Sequence, residues 1–238
     1  MTSSSFRAKV LNIRHLTKDI REMTLEMIEP SELSFQPGQA IAVTVPDMNS
    51  DSSLLRYYSL ASSPHSSKHL VLLLNSQDRG TGSTFLLKNE MPSDLQISGP
   101  YGSFTLQHEP DRELLFIGTG TGIAPLWSMM STLLAKPLSQ PMTLLWGLRH
   151  ESDRYYLQEL ERWKNLHASF SYIFVLSQPS PAWQGKRGRV TDLLKELSTV
   201  DHLAVYVCGN RTMVKDVTAL LHDKGDCTVY RERHHANS

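Results

Sequence analysis

Apolar and polar residues alternate in several short stretches of the first half of the chain, a pattern that is typical of half-buried β-strands. Turn-forming pairs such as Pro37-Gly38 and Pro46-Asp47 separate these stretches. The predicted strands are AKVLNIRHLT, IREMTLEMIE, QAIAVTVP, RYYSLASSP, HLVLLLNS and DLQISGPYGSFTL, with one predicted helix at GSTFLLKNEM. Several short strands at this spacing predict a small barrel or sandwich.

The pattern changes at the polar segment QHEPDRE, where we place a domain boundary that divides the chain into residues 1–108 and 109–238. Beyond it, apolar runs alternate with amphipathic segments of helical period. The predicted strand–helix pairs are LLFIGTG with APLWSMMSTLLA, MTLLWGLR with YYLQELERWKNL, FSYIFVLS with RVTDLLKEL, and LAVYVCGN with RTMVKDVTALLHDKG, before a last strand in CTVYRERHH. This alternation predicts a parallel sheet with helices on both faces.

Composition narrows the possible partners. The chain has 24 Lys and Arg residues against 24 Asp and Glu residues, so its charge does not indicate a nucleic-acid partner. Cys208 and Cys227 have neither the spacing of a metal site nor the number that a disulfide framework or a four-cysteine iron–sulfur cluster needs, and we predict no metal. We find no signal-peptide pattern and no apolar run of ~20 residues, so we expect a cytoplasmic protein with no membrane partner.

The segment FIGTGTGIAPLW places three glycines directly after an apolar run. Gly118, Gly120 and Gly122 permit positive φ and close approach of backbone, and Pro125 suits the first turn of the helix that follows. The N–H groups at a helix start bind anions. The spacing G-x-G-x-G differs from the dinucleotide fingerprint G-x-G-x-x-G and from the P-loop. By itself, this loop is equally compatible with a phosphate site and with an ordinary tight turn.

Three other stretches carry residues with candidate binding chemistry. RYYSLASSP combines Arg56, a cation able to neutralise a diphosphate, with two aromatic rings and Ser59, although an ordinary strand has the same pattern. RGTGSTFLL places glycines and Ser83 before a helix, where they bind an anion or simply cap the helix. YVCGN ends a strand in Cys208 and Gly209, where ligands bind to parallel sheets, and the alternative is a buried cysteine that packs as a small apolar residue.

Together these stretches resemble the ferredoxin–NADP reductase superfamily, in its compact two-domain form without an iron–sulfur domain. FQPGQAIAV resembles the family's F-x-P-G-Q strand, RYYS matches R-x-Y-S, and GTGSTFL matches the G-x-x-S helix. GTGTGIAP matches G-[GT]-G-[ST]-G-x-A-P, and CGN stands where the family has C-G-[PSN]. The matches cover nearly the whole chain in the family's order. The resemblance implies a six-stranded antiparallel β-barrel that binds a flavin, followed by an α/β domain with a Rossmann-like parallel sheet that binds a nicotinamide nucleotide.

The resemblance also implies roles for residues at the flavin. Arg56 would pair with the diphosphate, Tyr58 would pack on the ring or its ribityl chain, and Ser59 would donate to flavin N5. A second anion cradle, at Gly82 and Ser83, favours FAD over FMN. The implied flavin-binding residues are Arg56, Tyr57, Tyr58, Ser59, Leu60, Ala61, Ser62, Gly80, Gly82 and Ser83. For Leu60 to Ser62, the expected contact is from backbone to the pyrimidine edge.

For the nicotinamide nucleotide, the resemblance implies that the glycine loop approaches the diphosphate and that Thr119 and Cys208 flank the nicotinamide. The implied catalytic residues are Ser59, Cys208 and Glu232, although Glu232 is alternatively a salt-bridge partner of nearby arginines. His234 stands where the family often has Phe, so Tyr230, His234 or neither covers the flavin face. The implied nucleotide-binding residues are Thr119, Gly120, Thr121, Gly122, Arg149, Ser177, Gln178, Cys208, Gly209 and Asn210.

The choice between NADH and NADPH depends on charge, because a 2′-phosphate binds arginine or lysine. Phosphate-selective relatives often place arginine after the serine that follows the third α/β strand. Here Ser177 is followed by the neutral Gln178, which favours NADH. Four basic residues in neighbouring loops are either phosphate ligands or solvated surface charges: Arg149, Lys186, Arg187 and Arg189.

The predicted activity is hydride transfer between NAD(P)H and bound FAD, followed by electron transfer to a separate carrier. That carrier would be a ferredoxin, a flavodoxin, a cytochrome or the iron–sulfur component of an oxygenase. Two alternatives stay open. One is an NAD(P)H:free-flavin reductase, in which flavin is a substrate. The other is a flavin-containing redox-sensing adaptor without turnover.

Overall fold

A computed structural model describes residues 5–47, 50, 52–76, 81–87, 94–107 and 112–232. The chain forms two compact units. The first holds the residues up to Leu106 together with Trp127–Thr132, and the second holds Gln107–Leu126 with the residues from Leu133 to His234. Gly80 and His234, both named in the sequence predictions, lie outside the described residues.

The first unit contains an antiparallel sheet, with six strands among the described residues, in the order β4-β3-β6-β1-β2-β5. The strands are β1 Ser5–His15, β2 Ile20–Glu29, β3 Ala40–Pro46, β4 Ser53–Ser59, β5 His69–Asn75 and β6 Asp94–Tyr101, with a short helix, α1 Thr81–Leu86. Beyond β4, Leu60 bridges Leu72 of β5, and the Ala61 N–H donates to the Val71 carbonyl at 2.8 Å. Because β4 and β5 end the sheet order, these bonds close the sheet into a barrel.

The barrel core follows directly from the alternation in the sequence. In β2, every second residue points inward, so Met23, Leu25 and Met27 are buried while their neighbours are more exposed. The predicted span of β2, residues 20–29, is the observed one. The predicted helix after β5 is placed correctly, but α1 ends at Leu86 within the described residues. The predicted strand 94–106 ends earlier, at Tyr101.

The second unit contains a parallel sheet, again with six strands among the described residues, in the order β10-β9-β8-β7-β11-β12. Its strands are β7 Glu113–Thr119, β8 Met142–Leu148, β9 Phe170–Leu176, β10 Lys186–Arg187, β11 Leu203–Cys208 and β12 Thr228–Arg231. The helices in this half of the chain are α2 Ile123–Leu133, α3 Leu157–Leu166, α4 Val190–Glu196 and α5 Arg211–Lys224. The sequence pattern predicted all of these except the two-residue strand β10.

The strand order of this sheet reverses direction between β7 and β11. From β7 the chain first adds β8, β9 and β10 on one side, and then β11 and β12 on the other. In open α/β sheets, ligands bind at the carboxyl ends of the two strands where the order reverses. Gly118, near the end of β7, pairs with Cys208 at the end of β11, so the predicted nucleotide loop and the CGN segment emerge side by side. The antiparallel barrel and the parallel α/β sheet confirm the predicted fold class.

Within the described residues, the helices are too short or too polar to cross a bilayer.

Candidate functional site

Strand β4 lies at one end of the first sheet's order and carries the predicted flavin side chains. The alternation of the strand divides them. Arg56 and Tyr58 are half-buried on the face that packs toward α1, whereas Tyr57 is half-exposed on the other face, where its ring meets that of Tyr101 edge-on at 5.5 Å. The structure therefore brings Arg56 and Tyr58 together near α1 and places Tyr57 apart from them.

Gly82, the second residue of α1, packs against these two side chains. A Cβ at this position would meet the Tyr58 hydroxyl and would lie 2.8 Å from Cγ of Arg56. Arg56 itself donates to the Leu55 carbonyl at 3.1 Å and forms no ion pair with any residue that the structure describes. An uncompensated, half-buried guanidinium beside glycine backbone at a helix start fits the diphosphate of FAD. Ser83 follows Gly82 on the same short helix and is half-buried.

The segment after β4 limits one of the predicted contacts. The Leu60 N–H donates to the Gln39 carbonyl at 2.9 Å and the Ala61 N–H to the Val71 carbonyl at 2.8 Å. These two N–H groups are used inside the barrel, so the predicted backbone contact of Leu60 and Ala61 with the pyrimidine edge would have to use other backbone atoms. The Ser62 hydroxyl accepts from the Val71 N–H at 3.2 Å.

The structure also places the Ser62 carbonyl and the Ser59 side chain. The Ser62 carbonyl accepts a 2.6 Å bond from the Ser128 hydroxyl, and both groups are buried. Ser59, the predicted donor to flavin N5, ends β4 opposite Ala40 and is half-buried. Its position at the strand end leaves it between the half-buried Tyr58 and the fully buried Leu60.

In the second unit, Thr119 to Gly122 form the glycine loop, which turns from β7 into α2 through a single 3-10 turn. Only Gly120 of the three predicted glycines has positive φ, at 55°, and a Cβ there would meet nothing within 4 Å. Gly118 belongs to β7 instead, contrary to the expectation of positive φ. Gly122 is required for close approach, because a Cβ would lie 2.6 Å from the Gly209 Cα and 2.8 Å from the Cys208 carbonyl oxygen.

Thr119 contributes a buried polar atom without a partner. Its Oγ1 is inaccessible to solvent and has no hydrogen-bond partner among the described residues, and a Cβ on Gly209 would meet this atom. Buried hydroxyls are nearly always hydrogen-bonded, so an orphan of this kind marks a place for a ligand or an ordered water. The orphan lies where the resemblance expects a nicotinamide nucleotide, and the donor set therefore fits that group.

Cys208 ends β11 as a buried thiol that donates to the Glu232 carboxylate at 2.9 Å. Burial, followed by the negative charge of Glu232, raises the pKa of Cys208 well above its ordinary value, so the group stays a neutral thiol. The predicted catalytic pair Cys208 and Glu232 is thus brought into direct contact. The alternative of a salt bridge between Glu232 and a nearby arginine stays a prediction.

The other predicted nucleotide residues have local structural partners. The Asn210 side chain accepts from the Met213 N–H at 2.9 Å and so caps α5. The Ser177 N–H donates to the Leu148 carbonyl at 3.0 Å, and the Gln178 N–H donates to the Arg149 carbonyl at 2.9 Å. These two bonds hold the loop after β9 against the loop after β8.

The basic residues near this loop differ in their availability. Lys186 pairs with Glu196 at 2.7 Å, and Arg187 donates to three carbonyl oxygens of the loop 180–183. Arg189 precedes α4, and its backbone N–H donates to the Asp192 carboxylate at 2.9 Å. The Arg149 side chain forms no hydrogen bond or ion pair with the described residues. The side chains of Lys186 and Arg187 are therefore engaged, whereas those of Arg149 and Arg189 form no bond with the described residues and are available cations.

Sequence reasoning missed three residues near these loops. The Glu151 carboxylate accepts from both the N–H and the hydroxyl of Ser180, at 2.9 and 2.5 Å, and these bonds lower the pKa of Glu151. The Tyr155 hydroxyl donates to the Gly120 carbonyl at 3.3 Å. Trp146 is fully buried, and its Nε1 has no partner among the described residues. The sequence signal for Glu151 and Tyr155 is only an acidic and aromatic cluster in HESDRYY, which points equally to an ordinary helix start, and Trp146 lies in the predicted strand MTLLWGLR.

Comparison with known proteins matches both halves of the chain to family models. Residues 7–106 match the oxidoreductase FAD-binding domain, and residues 116–219 match the oxidoreductase NAD-binding domain. The chain is 31% identical to ferredoxin–NADP reductase B of Sorangium cellulosum, over 97% of this chain and 96% of that protein. It is 28% identical to reductase component 1 of terephthalate 1,2-dioxygenase of a Comamonas species, over 92% of this chain but 65% of that protein.

A solved structure gives the same result for the fold. The Amycolatopsis cytochrome P450 reductase GcoB superimposes with a TM-score of 0.83 at 25% identity, over 96% of this chain and 69% of that one. The FAD-binding model matches the part of the chain that forms the barrel, and the NAD-binding model matches the part that forms the parallel sheet. The Sorangium relative is of nearly equal length. The chain belongs to the ferredoxin–NADP reductase family and is a flavin-dependent oxidoreductase that acts on NAD(P)H.

Proposed function

We propose that this oxidoreductase transfers hydride from NADH to bound FAD and delivers the electrons to a separate protein carrier. The observation that carries the proposal is the packing at the end of β7 and β11. There, Gly122 lies against Gly209 and Cys208 at a distance that no side chain tolerates, and the buried Thr119 hydroxyl lacks a partner among the described residues. Strand ends held this closely at a topological switch point suit a dinucleotide.

On the flavin side, the residues of the barrel bind and orient. Arg56 supplies the positive charge for the diphosphate, and Gly82 with Ser83 supplies backbone close to it. Tyr58 packs beside them, and Ser59 holds a hydroxyl at the end of β4. Bound FAD supplies the chemistry, accepting hydride and releasing electrons one at a time. The proposed domain limits are residues 1–108 for the flavin and 109–238 for the nucleotide.

On the nucleotide side, Gly120 and Gly122 admit the diphosphate, and Thr119 offers its hydroxyl to the carboxamide end of the nicotinamide. Cys208 borders the same place as a neutral thiol that keeps its proton and donates a hydrogen bond to the Glu232 carboxylate. A neutral thiol introduces no charge that would oppose the positive nicotinamide ring formed on oxidation. Cys208 and Glu232 thereby position the ring and preserve the local charge without exchanging a proton with it.

A preference for NADH is supported by the charges near the loop after β9. Gln178 is neutral, Lys186 and Arg187 are engaged elsewhere, and Glu151 places a carboxylate on Ser180. A negative charge here opposes a 2′-phosphate. Of the four basic residues considered above, Arg149 and Arg189 have side chains that could bind a 2′-phosphate, and so favour NADPH, without breaking a bond observed among the described residues.

The proposed carrier is a ferredoxin, a flavodoxin or the iron–sulfur component of an oxygenase. The relatives include a ferredoxin–NADP reductase, a reductase component of terephthalate 1,2-dioxygenase and the electron transfer component of anthranilate 1,2-dioxygenase. This sequence has two cysteines, too few for a cluster bound by four cysteine thiolates. An acceptor cluster bound in that way would lie outside this sequence.

The proposal is tested by purification followed by visible spectroscopy and stopped-flow mixing. We expect a yellow protein with about one FAD per chain, bleached faster by NADH than by an equal concentration of NADPH. A colourless protein that reduces added riboflavin would instead be a free-flavin reductase. A yellow protein that neither nucleotide bleaches would leave a binding function alone. Reduced protein mixed with oxidised ferredoxin, flavodoxin or cytochrome then identifies the class of carrier.

A further inference from the structure

The conformation of the glycine loop depends on a side chain from outside it. Gly120 has a φ of 55°, and its carbonyl accepts a 3.3 Å bond from the Tyr155 hydroxyl. Tyr155 lies between β8 and α3, with 4% of its surface exposed. The hydroxyl is therefore delivered to the loop by a buried ring rather than by a mobile surface side chain.

The Tyr155 ring is itself held by aromatic neighbours. Its ring is edge-on to Trp146 at 4.7 Å and to Tyr156 at 5.1 Å, and Trp146 packs in turn on Phe174 at 5.4 Å. Edge-to-face pairs of this kind fix both the distance and the orientation of a ring. The position of the Tyr155 hydroxyl is thus set by the sheet, through Trp146 on β8 and Phe174 on β9.

The backbone beside Tyr155 is in an unusual conformation. Tyr156 has a φ of 57°, which is an outlier for a bulky residue, and it starts α3 by accepting from the Leu160 N–H at 2.9 Å. This left-handed residue turns the chain sharply between Tyr155 and the helix. An observed outlier of this kind is grounds for a hypothesis of function at the residue that it positions.

The bond to the Gly120 carbonyl has a geometric consequence for the next N–H. In a trans peptide, the carbonyl of one residue and the N–H of the next point in opposite directions. A Gly120 carbonyl directed at Tyr155 therefore directs the Thr121 N–H away from Tyr155. This N–H is at the start of the 3-10 turn that leads into α2, where backbone donors have no partner within the helix.

We propose that Tyr155 is a positioning residue that orients the Gly120–Thr121 peptide, so that the Thr121 N–H donates to the diphosphate of the nicotinamide nucleotide. The inference rests on the proposed function, because it assumes that the glycine loop binds this nucleotide. Tyr155 touches neither cofactor in this account and acts through the peptide that it holds.

The test replaces the hydroxyl while keeping the ring. The Tyr155→Phe variant, as the FAD-loaded protein, is titrated with NADH and with ADP-ribose, which has the diphosphate but no nicotinamide. We expect dissociation constants about 2- to 10-fold higher for both ligands, the range for loss of one hydrogen bond. FAD content and thermal midpoint should stay as in the wild type, which separates positioning from a general structural role. Tyr172→Phe is the matched control, because it removes a hydroxyl that bonds Glu161 instead, and its affinities should not change.

Several outcomes would overturn the inference. Equal affinities in the wild type and Tyr155→Phe would do so, as would a loss for NADH without a loss for ADP-ribose. If Tyr155→Phe proves unstable, Trp146→Phe keeps the hydroxyl and loosens only its support, and it should weaken both ligands to a smaller extent. Wild-type affinities in that variant would also contradict the inference. A wild-type protein that binds neither NADH, NADPH nor ADP-ribose would remove the proposed function itself.

Discussion

Gly82 in the first unit and Gly122 in the second are both too crowded for a side chain, but for different reasons. A Cβ on Gly82 would meet the side chains of Arg56 and Tyr58, whereas a Cβ on Gly122 would meet backbone atoms of Gly209 and Cys208. The predicted flavin site of the first unit is therefore shaped by side chains on β4. The nucleotide half is shaped by main chain at the ends of β7 and β11.

This difference predicts unequal tolerance to substitution. A side chain moves by changing rotamer, at a cost of about 0.5–1.5 kcal/mol for a shift of ~30°. Backbone that belongs to a six-stranded parallel sheet moves only with its hydrogen-bond ladder. The flavin half should accordingly adapt to small changes, and the nucleotide half should lose its ligand when it is displaced at all.

The largest effect is expected from Gly122→Ala. The new methyl group would lie 2.6 Å from the Gly209 Cα, so the glycine loop must separate from β11. Overpacking of this kind costs about 1–3 kcal/mol in stability. A displacement near 1 Å reduces a positioned reaction by about 100-fold. We expect NADH bleaching of the flavin to slow by about that factor while FAD content is unchanged.

Gly82→Ala is the matched comparison for this variant, since it adds the same methyl group against side chains. We expect FAD binding to weaken by about 10-fold or less. Arg56 and Tyr58 can move away from the new methyl group, and this movement costs no more than a strained rotamer. If Gly82→Ala abolished FAD binding while Gly122→Ala left bleaching intact, the contrast between the two halves would be wrong.

The next effect concerns the charge on β4. Arg56→Ala should weaken FAD retention by about 10- to 100-fold, because a charge-assisted bond to phosphate contributes about 1.5–3 kcal/mol. The ratio of flavin to protein absorbance after purification measures this directly, and ADP-ribose affinity should not change. Arg14→Ala is the control, since Arg14 is an exposed cation that already pairs with Glu22 at 3.0 Å. Equal flavin loss in both variants would remove the specific role of Arg56.

The sequence pattern alone predicts both sheets because their strands differ in periodicity. Alternation in β2 and continuous apolar runs such as Leu114 to Ile117 each specify one kind of sheet. It also predicts that CGN and the glycine loop share an edge, since parallel strands end on the same side. Within the candidate site, the Cys208–Glu232 contact follows from the adjacency of β11 and β12.

Other features depend on contacts between segments that are distant in sequence, and no local pattern encodes them. The sequence does not reveal that Gly118 remains in the strand while Gly120 alone of the three takes positive φ. Nor does it reveal that the Arg187 guanidinium donates hydrogen bonds to carbonyl groups of its own loop. The Tyr155 bond to Gly120 depends on the left-handed turn at Tyr156. No glycine stands at that position to predict such a turn from the sequence.

The smallest expected effect is the contribution of the Cys208 thiol to the pH dependence of stability. Burial and Glu232 raise the pKa of Cys208 in the folded state above the ordinary value of 9.0. The unfolded chain therefore ionises first as pH rises, and the stability contributed by the neutral thiol is present below pH 9.0 and lost above it. Between pH 8 and pH 10, this group should lower the free energy of unfolding by an amount on the order of 1 kcal/mol.

Urea unfolding at the two pH values measures this loss in the wild type and in Cys208→Ala. The variant should lose less stability than the wild type over the same interval, by an amount on the order of 1 kcal/mol. Part of the alkaline loss should persist in the variant, because burial also raises the pKa of Cys227 and, with Glu161, raises the pKa of Tyr172 to about 12. Parallel losses in the two proteins would mean that Cys208 is not held as a buried neutral thiol. The proposed place of Cys208 beside the nicotinamide would then need a different electrostatic account, because a thiolate there would attract the oxidised ring and slow its release.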